Sequence, residues 1–204
     1  MSTGTQVTAV LAAGAGSRFG GAKLLEPLAG RPLIQWPLQA ALAAGPGRVL
    51  LVLGFHEHEL REKIPPHPRL ELIHNPSPQE GMAGSLVLAA RRAREMGADM
   101  LVLLLGDMPL VDAGLISRVA RAARQGPAGA AAARAQGRPG HPVALDSRYF
   151  SRLTGLEGDQ GARGILAGLG DALALVPADP ATQWDVDTPQ DLERLRRHLQ
   201  TKPA

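Results

Sequence analysis

The chain has 204 residues, of which 45% are hydrophobic, so it is long enough for one compact domain with a substantial core and requires no second domain. Its net charge of +3 comes mainly from scattered arginines, and aromatic residues make up only 3%, which argues against nucleic acid as a partner. The absence of cysteine excludes disulfides and thiolate metal sites, and no apolar run approaches membrane-spanning length. These properties favour a cytoplasmic protein without nucleic-acid or membrane partners.

A glycine-rich segment follows the first predicted strand. Val7–Leu11 is an apolar run typical of a buried strand, and residues 12–23 behind it contain small residues, glycines and two spaced cations. Such a segment can bring backbone N–H groups close to an anion. Arg18 adds a planar fork of donors and Lys23 a mobile point charge. The combination indicates a triphosphate site, and the alternative is a tight surface turn with two solvated cations.

Two familiar phosphate loops fit this segment poorly. A P-loop requires Gly-Lys followed by Ser or Thr, but Lys23 lies between Ala22 and Leu24. The dinucleotide fingerprint requires Gly-x-Gly-x-x-Gly, yet Phe19 stands at the third glycine position and residues 33–35 offer no acid for a ribose. A nucleotide loop of another kind is therefore favoured, and an NAD(P)-linked oxidoreductase stays open as the alternative.

The rest of the chain alternates between apolar runs and helix-like stretches. Strands are predicted at Val49–Leu53, Leu70–Ile73, Met100–Leu105, Ala128–Ala133, Val143–Leu145 and Leu173–Val176. Helices are predicted at Pro32 to about Ala44, His56–Ile64, Met82–Met96, from about Asp112, after Arg163, and at about 188–200. This alternation predicts the α/β class: a single-domain, Rossmann-like, three-layer α/β/α sandwich with a mostly parallel sheet.

Three local features allow more specific structural predictions. Pro37 should either kink the first helix or delay its start. The Ala/Gly/Arg stretch Ala130–Gly140 is interpreted as a strand that passes into a mobile loop. His56, His58 and His67 lack a clear set of partner ligands, so exposed histidines are favoured over a metal site.

Asp107 is the sharpest candidate for chemistry. It follows the strand Met100–Leu105, so its carboxylate should emerge at the carboxyl edge of the sheet, where ligands collect in this class of fold. A hard oxygen ligand there suits Mg²⁺, which keeps water and substrate phosphates in its coordination shell. The alternative is a turn or cap aspartate before the next helix.

The second acidic position lies close to the last helix. Alternate residues of an extended segment share a face, so Asp185 and Asp187 could both point towards a metal. Thr188 and Asp191 also have the spacing of a capping box, with Thr188 as the N-cap. The two roles are compatible.

Four further polar residues are candidates for a structural or a functional role. Ser85, behind the turn-forming segment Asn75–Gly81, is either a helix cap or a hydroxyl that contacts a nucleobase, and spacing alone favours the cap. His141 either contacts an acceptor molecule or braces its turn. Asp159 is a candidate cap for a short helix, and Arg163 could reach an anionic acceptor.

Several blocks of the sequence occur together in one family. The blocks are Leu11–Gly14 with Arg18, Phe19, Gly20 and Lys23, then Asn75–Pro76, Gly81–Leu86, Gly106–Pro109, Gly140–Pro142, Gly158–Arg163 and Asp185–Pro189. In this order, and over nearly the whole chain, they resemble the MobA-like nucleotidyltransferases, and in particular the molybdenum cofactor cytidylyltransferases. Several ordered matches are far more specific than any one of them.

The resemblance implies a fold of the nucleotide-diphospho-sugar transferase type and one nucleotidyltransferase domain over 1–204, with a nucleotide-binding half at about 1–110 and an acceptor-binding half at about 111–190. It assigns catalysis to Arg18, Lys23 and Asp107, and Mg²⁺ to Asp107 and Asp187, with Asp185 as second choice. The nucleotide-binding residues would be Leu11, Ala12, Ala13, Gly14, Arg18, Lys23, Asn75, Gly81, Ser85 and Asp107. His141 and Arg163 would bind the acceptor.

The reaction implied by the resemblance is transfer of CMP from CTP to the terminal phosphate of molybdopterin, with release of pyrophosphate. CTP is preferred because Ala12–Ala13–Gly14 stands where guanylyltransferases of the family usually have a second glycine. A molybdoenzyme or its maturation chaperone would be a partner. The alternatives are a guanylyltransferase or another NTP transferase with a different phosphorylated acceptor, and a non-catalytic nucleotide sensor or cofactor chaperone.

Overall fold

The computed structural model describes residues 4–201, so residues 1–3 and 202–204 of the predicted domain lie outside the described part. Its strands are β1 (Gln6–Ala12), β2 (Pro27–Leu28), β3 (Arg31–Pro32), β4 (Arg48–Leu53), β5 (Leu70–His74), β6 (Met100–Leu105), β7 (Ala130–Ala135), β8 (Arg138–Asp146) and β9 (Ala174–Pro177). Its α-helices are α1 (Gln35–Ala43), α2 (Glu57–Lys63), α3 (Met82–Glu95), α4 (Ala113–Gln125), α5 (Phe150–Leu153), α6 (Arg163–Ala167) and α7 (Pro189–Thr201).

Seven strands form one sheet in the order β5-β4-β1-β6-β8-β7-β9, and β2 pairs with β3 in a small separate hairpin. The pairs β5/β4, β4/β1, β1/β6 and β7/β9 are parallel, whereas β8 runs antiparallel to both of its neighbours. The carboxyl ends of β1, β4, β5 and β6 therefore meet at one edge. Parallel strands buried on both faces are expected to be apolar throughout, as β6 is and as β4 is after its exposed first residue, Arg48.

The sheet separates two hydrophobic cores. Successive residues of β1 point to opposite faces, so Val10 belongs to one core while Ala9 and Leu11 belong to the other. Helices α1, α2, α4 and α7 contribute to the first core, and α3, α5 and α6 contribute to the second. This arrangement confirms the predicted three-layer α/β/α sandwich with a mostly parallel sheet.

The first helix starts later than predicted. Residues Arg31–Pro32 form strand β3, and α1 begins at Gln35, which leaves Pro37 in its first turn. The first-turn N–H groups of a helix have no intrahelical partner, so proline is tolerated there without a kink. Pro37 therefore delays the helix, which was one of the two predicted outcomes.

The strand predicted at the start of Ala130–Gly140 is present, but it passes into a hairpin and not into a mobile loop. The segment contains β7, a two-residue turn at Gln136 and Gly137, and the beginning of β8. Both turn residues have positive φ, 50° and 78°, as a primed two-residue hairpin turn requires. The register shifts between Ala132 and Ala133.

The last helix has the predicted capping box. The backbone N–H of Thr188 donates to Asp191 Oδ2 at 2.9 Å, and the N–H of Asp191 donates to Thr188 Oγ1 at 3.3 Å. Asp191 Oδ2 also accepts a bond of 3.3 Å from the backbone N–H of Asp187. The cap of α7 thus also holds the backbone of a candidate metal ligand.

Replacing Asp191 with Ala should lower the free energy of unfolding by about 1 kcal/mol, since two backbone donors at the start of α7 lose their partner. Urea denaturation at neutral pH measures the change. Gln190→Ala, at the exposed neighbouring position, is the matched control and should unfold at the wild-type midpoint. Equal midpoints for the wild type and Asp191→Ala would contradict a stabilising role of the cap.

None of the helices within residues 4–201 combines the length and the apolar character that crossing a membrane requires.

Candidate active site

An open cleft lies at the carboxyl edge of β1 and β6, with about 520 Å³ of empty space. It is lined by backbone and side chains from four parts of the sequence: Leu11, Ala12, Gly14, Gly16, Ser17, Arg18, Lys23, Leu24, Asp107 and Asp187. The fold brings these residues together because β1 and β6 are adjacent and parallel, so the segments that follow both strands emerge side by side.

One wall of the cleft is the glycine loop, which we define as residues 13–22 between β1 and the turn that starts at Lys23. The carbonyl oxygen of Gly16 accepts hydrogen bonds from the N–H groups of Phe19, Gly20 and Gly21 at 2.9 to 3.2 Å. Gly16 has a φ of 66°, and a Cβ atom there would overlap the carbonyl oxygen of Gly21. Only glycine fits this position without strain or displacement of the loop.

The first half of the glycine loop leaves backbone donors free. Among the hydrogen bonds of residues 4–201, none is donated by the backbone N–H groups of residues 14–18. Gly14, Gly16, Ser17 and Arg18 line the cleft. A run of free N–H groups on a concave wall is a structural feature of phosphate-binding loops.

Lys23 joins the two acidic positions. Its Nζ atom lies 2.7 Å from Asp107 Oδ2 and 3.0 Å from Asp187 Oδ1, and the Lys23 side chain is only 11% exposed. Arg18 Nη1 lies 2.6 Å from Asp187 Oδ2, at the exposed rim of the cleft. The structure thus brings together the four charged side chains that the sequence indicated, although 84 and 164 residues separate Lys23 from the two aspartates.

Backbone contacts hold the two acidic segments in register. The N–H of Gly106 donates to the carbonyl of Leu11 at 2.8 Å, which ties the end of β6 to β1. The N–H of Val186 donates to the carbonyl of Asp107 at 3.0 Å, and Val186 is fully buried. A Cβ atom at Gly106 would lie 3.0 to 3.2 Å from Ile34, Leu11 and Ala12, so the approach of the strands leaves almost no room for a side chain there.

The charges of the cleft influence one another. Burial works to lower the pKa of Lys23, but the carboxylates of Asp107 and Asp187 outweigh it, and the net pKa is raised. Partial burial raises the pKa of Asp185, and the negative charge of Asp107 raises it further. Asp185 therefore lies close enough to Asp107 to feel its charge, although Asp187 is the aspartate that Lys23 contacts.

Asp107 keeps one oxygen unused. Its Oδ1 atom is buried and has no hydrogen-bond partner among the described residues. A buried carboxylate oxygen without a partner is costly, unless a ligand satisfies it. Carboxylate oxygens are the donors that hard divalent cations prefer, so Asp107 and Asp187 fit such a cation. Residues 4–201 hold no group of three or more His, Asp and Glu side chains arranged for a metal, so further ligands would come from substrate and water.

Asn75, which follows β5, forms a buried pair with Ser85, and neither of these predicted nucleotide-binding residues lines the cleft. Asn75 Nδ2 donates to Ser85 Oγ at 3.1 Å, and Asn75 Oδ1 accepts from the backbone N–H of Ser77 at 3.0 Å. Both residues are at most 4% exposed. Ser85 lies within the first turns of α3 and does not cap it; Gly81 occupies the N-cap position. The pair therefore shapes the segment between β5 and α3.

Asp159 does not cap a helix. The short helix α6 has Ala162 at its N-cap position, without a side-chain cap. The loop around Asp159 instead packs on the start of α3, where the N–H of Ala83 donates to the carbonyl of Gly158 at 3.0 Å. A Cβ atom at Gly81 would meet both Gly158 and Asp159. Two of the family-like blocks, around Gly81 and around Asp159, are thus in direct contact.

His141 and Arg163 lie outside the cleft that contains Lys23. The His141 imidazole is within 3.2 Å of the carbonyl of Leu103 through Nδ1, and its backbone carbonyl accepts from Gln183 Nε2 at 2.6 Å. Burial lowers the pKa of His141, so the ring is neutral at neutral pH. These contacts brace β8 against β6. Arg163 is exposed and lines a separate, wider groove with Gln160 and Ile165.

Sequence reasoning did not single out several residues that form or support the cleft. Gly16, Ser17 and Leu24 line it, and their position within the glycine-rich segment was the available signal. Trp184 precedes the acidic segment, and its ring stacks against the Arg194 guanidinium at 4.5 Å. Nothing in the spacing of Trp184 and Arg194 indicates this contact, because it depends on the angle at which α7 leaves the segment.

Solved structures share this architecture. The crystal structure of Rv0371c from Mycobacterium tuberculosis H37Rv superposes with a TM-score of 0.83 at 26% identity, covering 97% of this chain and 100% of that chain. A nucleotidyl transferase from Methanothermobacter thermautotroptrophicus, Mth528, superposes with a TM-score of 0.82 at 25% identity, covering 97% and 99%. The fold class predicted from the sequence is thus also found in these structures.

Sequence comparisons identify the family. The purine catabolism protein PucB of Bacillus subtilis is 32% identical over 198 residues, covering 93% of this chain and 95% of PucB. Bifunctional GlmU proteins match over 53% to 58% of this chain. The matched part covers only 24% to 26% of the length of those proteins. The sequence model of the MobA-like NTP transferase domain matches residues 8–179. The chain therefore belongs to the MobA-like NTP transferase family and is a nucleotidyltransferase, as its ordered sequence blocks had indicated.

Proposed function

We propose that the protein transfers CMP from CTP to the terminal phosphate of molybdopterin, with release of pyrophosphate and with Mg²⁺ as the metal. The observation that carries the proposal is the convergence of the glycine loop, Lys23, Asp107 and Asp187 at one cleft. A phosphate-binding loop beside two carboxylates that can hold a cation suits transfer between two phosphates. Both reactants are anions, so their mutual repulsion must be offset.

The glycine loop and its cations would hold the triphosphate. The backbone N–H groups of residues 14–18 are free, and Gly14, Gly16, Ser17 and Arg18 line the cleft, so we expect these groups to donate to the β- and γ-phosphates. Lys23 is a point charge on a flexible stem and can follow the phosphates as the charge develops. Their task is to position the triphosphate and to stabilise the pyrophosphate that leaves.

The acceptor phosphate would attack the α-phosphorus. One of its oxygens forms the new P–O bond while the bond between the α-phosphorus and its bridging oxygen to the β-phosphate breaks. The attacking phosphate is already ionised, so the chain does not need a general base. Asp107 and Asp187 would hold Mg²⁺, which when bound offsets negative charge on the donor and acceptor phosphates. His141 and Arg163 would lie on the acceptor side.

The choice of CTP depends on the small residues at the start of the glycine loop. Ala12–Ala13–Gly14 stands where guanylyltransferases of the resembled family usually have a further glycine. The Ala13 methyl group packs against Gly54, and Ala13 is only 7% exposed. The Asn75–Ser85 pair and Gly81 would form the surroundings of the base. A molybdoenzyme or its maturation chaperone would receive the product.

Pyrophosphate release tests the proposal. The purified protein is incubated with molybdopterin cofactor and with CTP, GTP, ATP or UTP in turn, with and without Mg²⁺, and the product is identified by mass spectrometry. We expect pyrophosphate and a product that joins CMP to molybdopterin only when CTP, acceptor and metal are present together. Cofactor binding without pyrophosphate would identify a chaperone. NAD(P) binding with metal-independent hydride transfer would identify an oxidoreductase, and product from GTP a guanylyltransferase.

Of the two aspartates before α7, Asp187 should contribute more to kcat than Asp185. Asp187 contacts both Lys23 and Arg18, whereas Asp185 makes no ion pair among the described residues. Asp187→Asn should therefore reduce kcat by about a hundredfold or more, the scale of losing one charge-stabilising group, and Asp185→Asn should reduce it far less. Steady-state kinetics at saturating CTP measure both. A larger loss for Asp185→Asn would transfer the metal assignment to Asp185.

A further inference from the structure

The ammonium group of Lys23 occupies the point where the two proposed metal ligands meet. It lies within hydrogen-bond distance of one oxygen of Asp107 and one oxygen of Asp187. The second oxygen of Asp187 is held by Arg18, so both oxygens of that carboxylate are engaged. A divalent cation bound by the same two carboxylates therefore needs space that Lys23 fills.

Electrostatic repulsion prevents the Lys23 ammonium and a divalent cation from occupying the space between Asp107 and Asp187 at the same time. Two positive charges a few Å apart repel each other strongly where the surroundings are poorly solvated, and the Lys23 side chain is largely buried. The only unengaged oxygen of the pair is Asp107 Oδ1, which is one ligand and not two. Metal entry thus requires Lys23 to leave at least Asp187.

The chain allows this movement without refolding. The backbone of Lys23 is fixed, since its N–H donates to Gly21 at 2.7 Å and its carbonyl accepts from Glu26 at 3.1 Å. The ammonium, by contrast, sits on a four-carbon stem with rotatable bonds. Phosphates cradled by the neighbouring residues 14–18 offer it a new partner.

We propose that Lys23 is an internal counter-ion that competes with the divalent metal for Asp107 and Asp187, so that the nucleotide-free site binds metal weakly and metal enters with the triphosphate. The inference rests on the proposed function for the metal-ligand role of the two aspartates. By linkage, whatever draws Lys23 away from the carboxylates raises the affinity for metal.

Titration of the nucleotide-free protein with Mn²⁺, followed by electron paramagnetic resonance, tests the competition directly. Lys23→Met keeps an unbranched side chain, one atom shorter than lysine, and removes its charge. We expect Lys23→Met to bind Mn²⁺ at least about tenfold more tightly than the wild type, because two carboxylates become available without a competing cation. Equal affinity in the two proteins would overturn the proposal.

Three further variants complete the experiment. Lys63→Met, at an exposed position of α2, removes the same charge elsewhere and should leave Mn²⁺ affinity unchanged. Arg18→Met should increase it less than Lys23→Met, because Arg18 contacts only Asp187 from an exposed rim. In Lys23→Met combined with Asp107→Asn, the gain should disappear. A gain that survives the loss of Asp107 would place the metal elsewhere and overturn the proposal.

Thermal unfolding of each variant, and Lys23→Ala as a second substitution, exclude misfolding as the cause of a change. The outcome is separable from that of the proposed function. Wild-type turnover of CTP with unchanged Mn²⁺ affinity in Lys23→Met overturns only the competition. Tighter Mn²⁺ binding in Lys23→Met without CTP turnover by the wild type supports the competition and contradicts the proposed reaction.

Discussion

Replacing Asp107 with Asn should reduce turnover by about a thousandfold, or about 4 kcal/mol at the transition state. Asparagine keeps the shape of the side chain but removes the negative charge, which pairs with Lys23 and makes the unpartnered Oδ1 atom a strong ligand for a cation. Without that carboxylate, a divalent cation would lose one of its two proposed protein ligands and would offset less of the charge on the phosphates.

Nucleotide should still bind to Asp107→Asn, although weakly. The free N–H groups of residues 14–18 and the Arg18 side chain do not depend on Asp107, so the phosphate contacts that we propose for them should remain. Pyrophosphate release measures kcat, and calorimetry with a non-hydrolysable CTP analogue measures binding. Asp171→Asn, at an exposed position far along the sequence, is the control and should behave as the wild type. Wild-type kcat in Asp107→Asn would show that Asp107 is not a metal ligand.

The sheet could be predicted because its parallel strands are buried on both faces. Apolar runs such as Val49–Leu53 and Met100–Leu105 coincide with the strands almost residue by residue. The β7–β8 hairpin was predicted only in part: strands were expected at Ala128–Ala133 and Val143–Leu145, but not the turn that joins them. Its first strand is built of alanines, which have low strand propensity, and Pro139 lacks the N–H group that an interior strand normally donates.

The candidate site was predictable where a residue directly follows a strand. Asp107 comes after β6 and the glycine loop after β1, so both positions follow from the carboxyl-edge rule. The contact between Lys23 and Asp187 was not predictable from spacing, because it depends on how a loop and a distant segment before α7 converge. The hydrogen-bond partners of Asn75 were not predictable either, because the sequence does not distinguish a buried structural asparagine from one that contacts a ligand.

The glycine loop provides the second large effect that we expect. Gly16→Val should weaken binding of a non-hydrolysable CTP analogue by about a hundredfold. Valine is disfavoured at the positive φ of Gly16, and its Cβ atom would overlap the carbonyl oxygen of Gly21. Relief of the overlap must move residues 19–21 away from the Gly16 carbonyl that organises them, and the free N–H groups beside it move as well.

Two further substitutions separate the causes. Gly20 also has a positive φ, of 94°, but a Cβ atom there would meet nothing within 4 Å, so Gly20→Ala isolates backbone strain from overlap and should cost less affinity. Gly45→Ala, at an open position without a positive φ and outside the cleft, should bind the analogue as the wild type does.

Circular dichroism shows whether each variant is folded. Because no residue of the glycine loop is a buried member of either core, and only Phe19 packs against the first core, Gly16→Val should keep its secondary structure while it loses the nucleotide. A folded Gly16→Val protein with wild-type affinity would mean that the phosphates do not bind at residues 14–18.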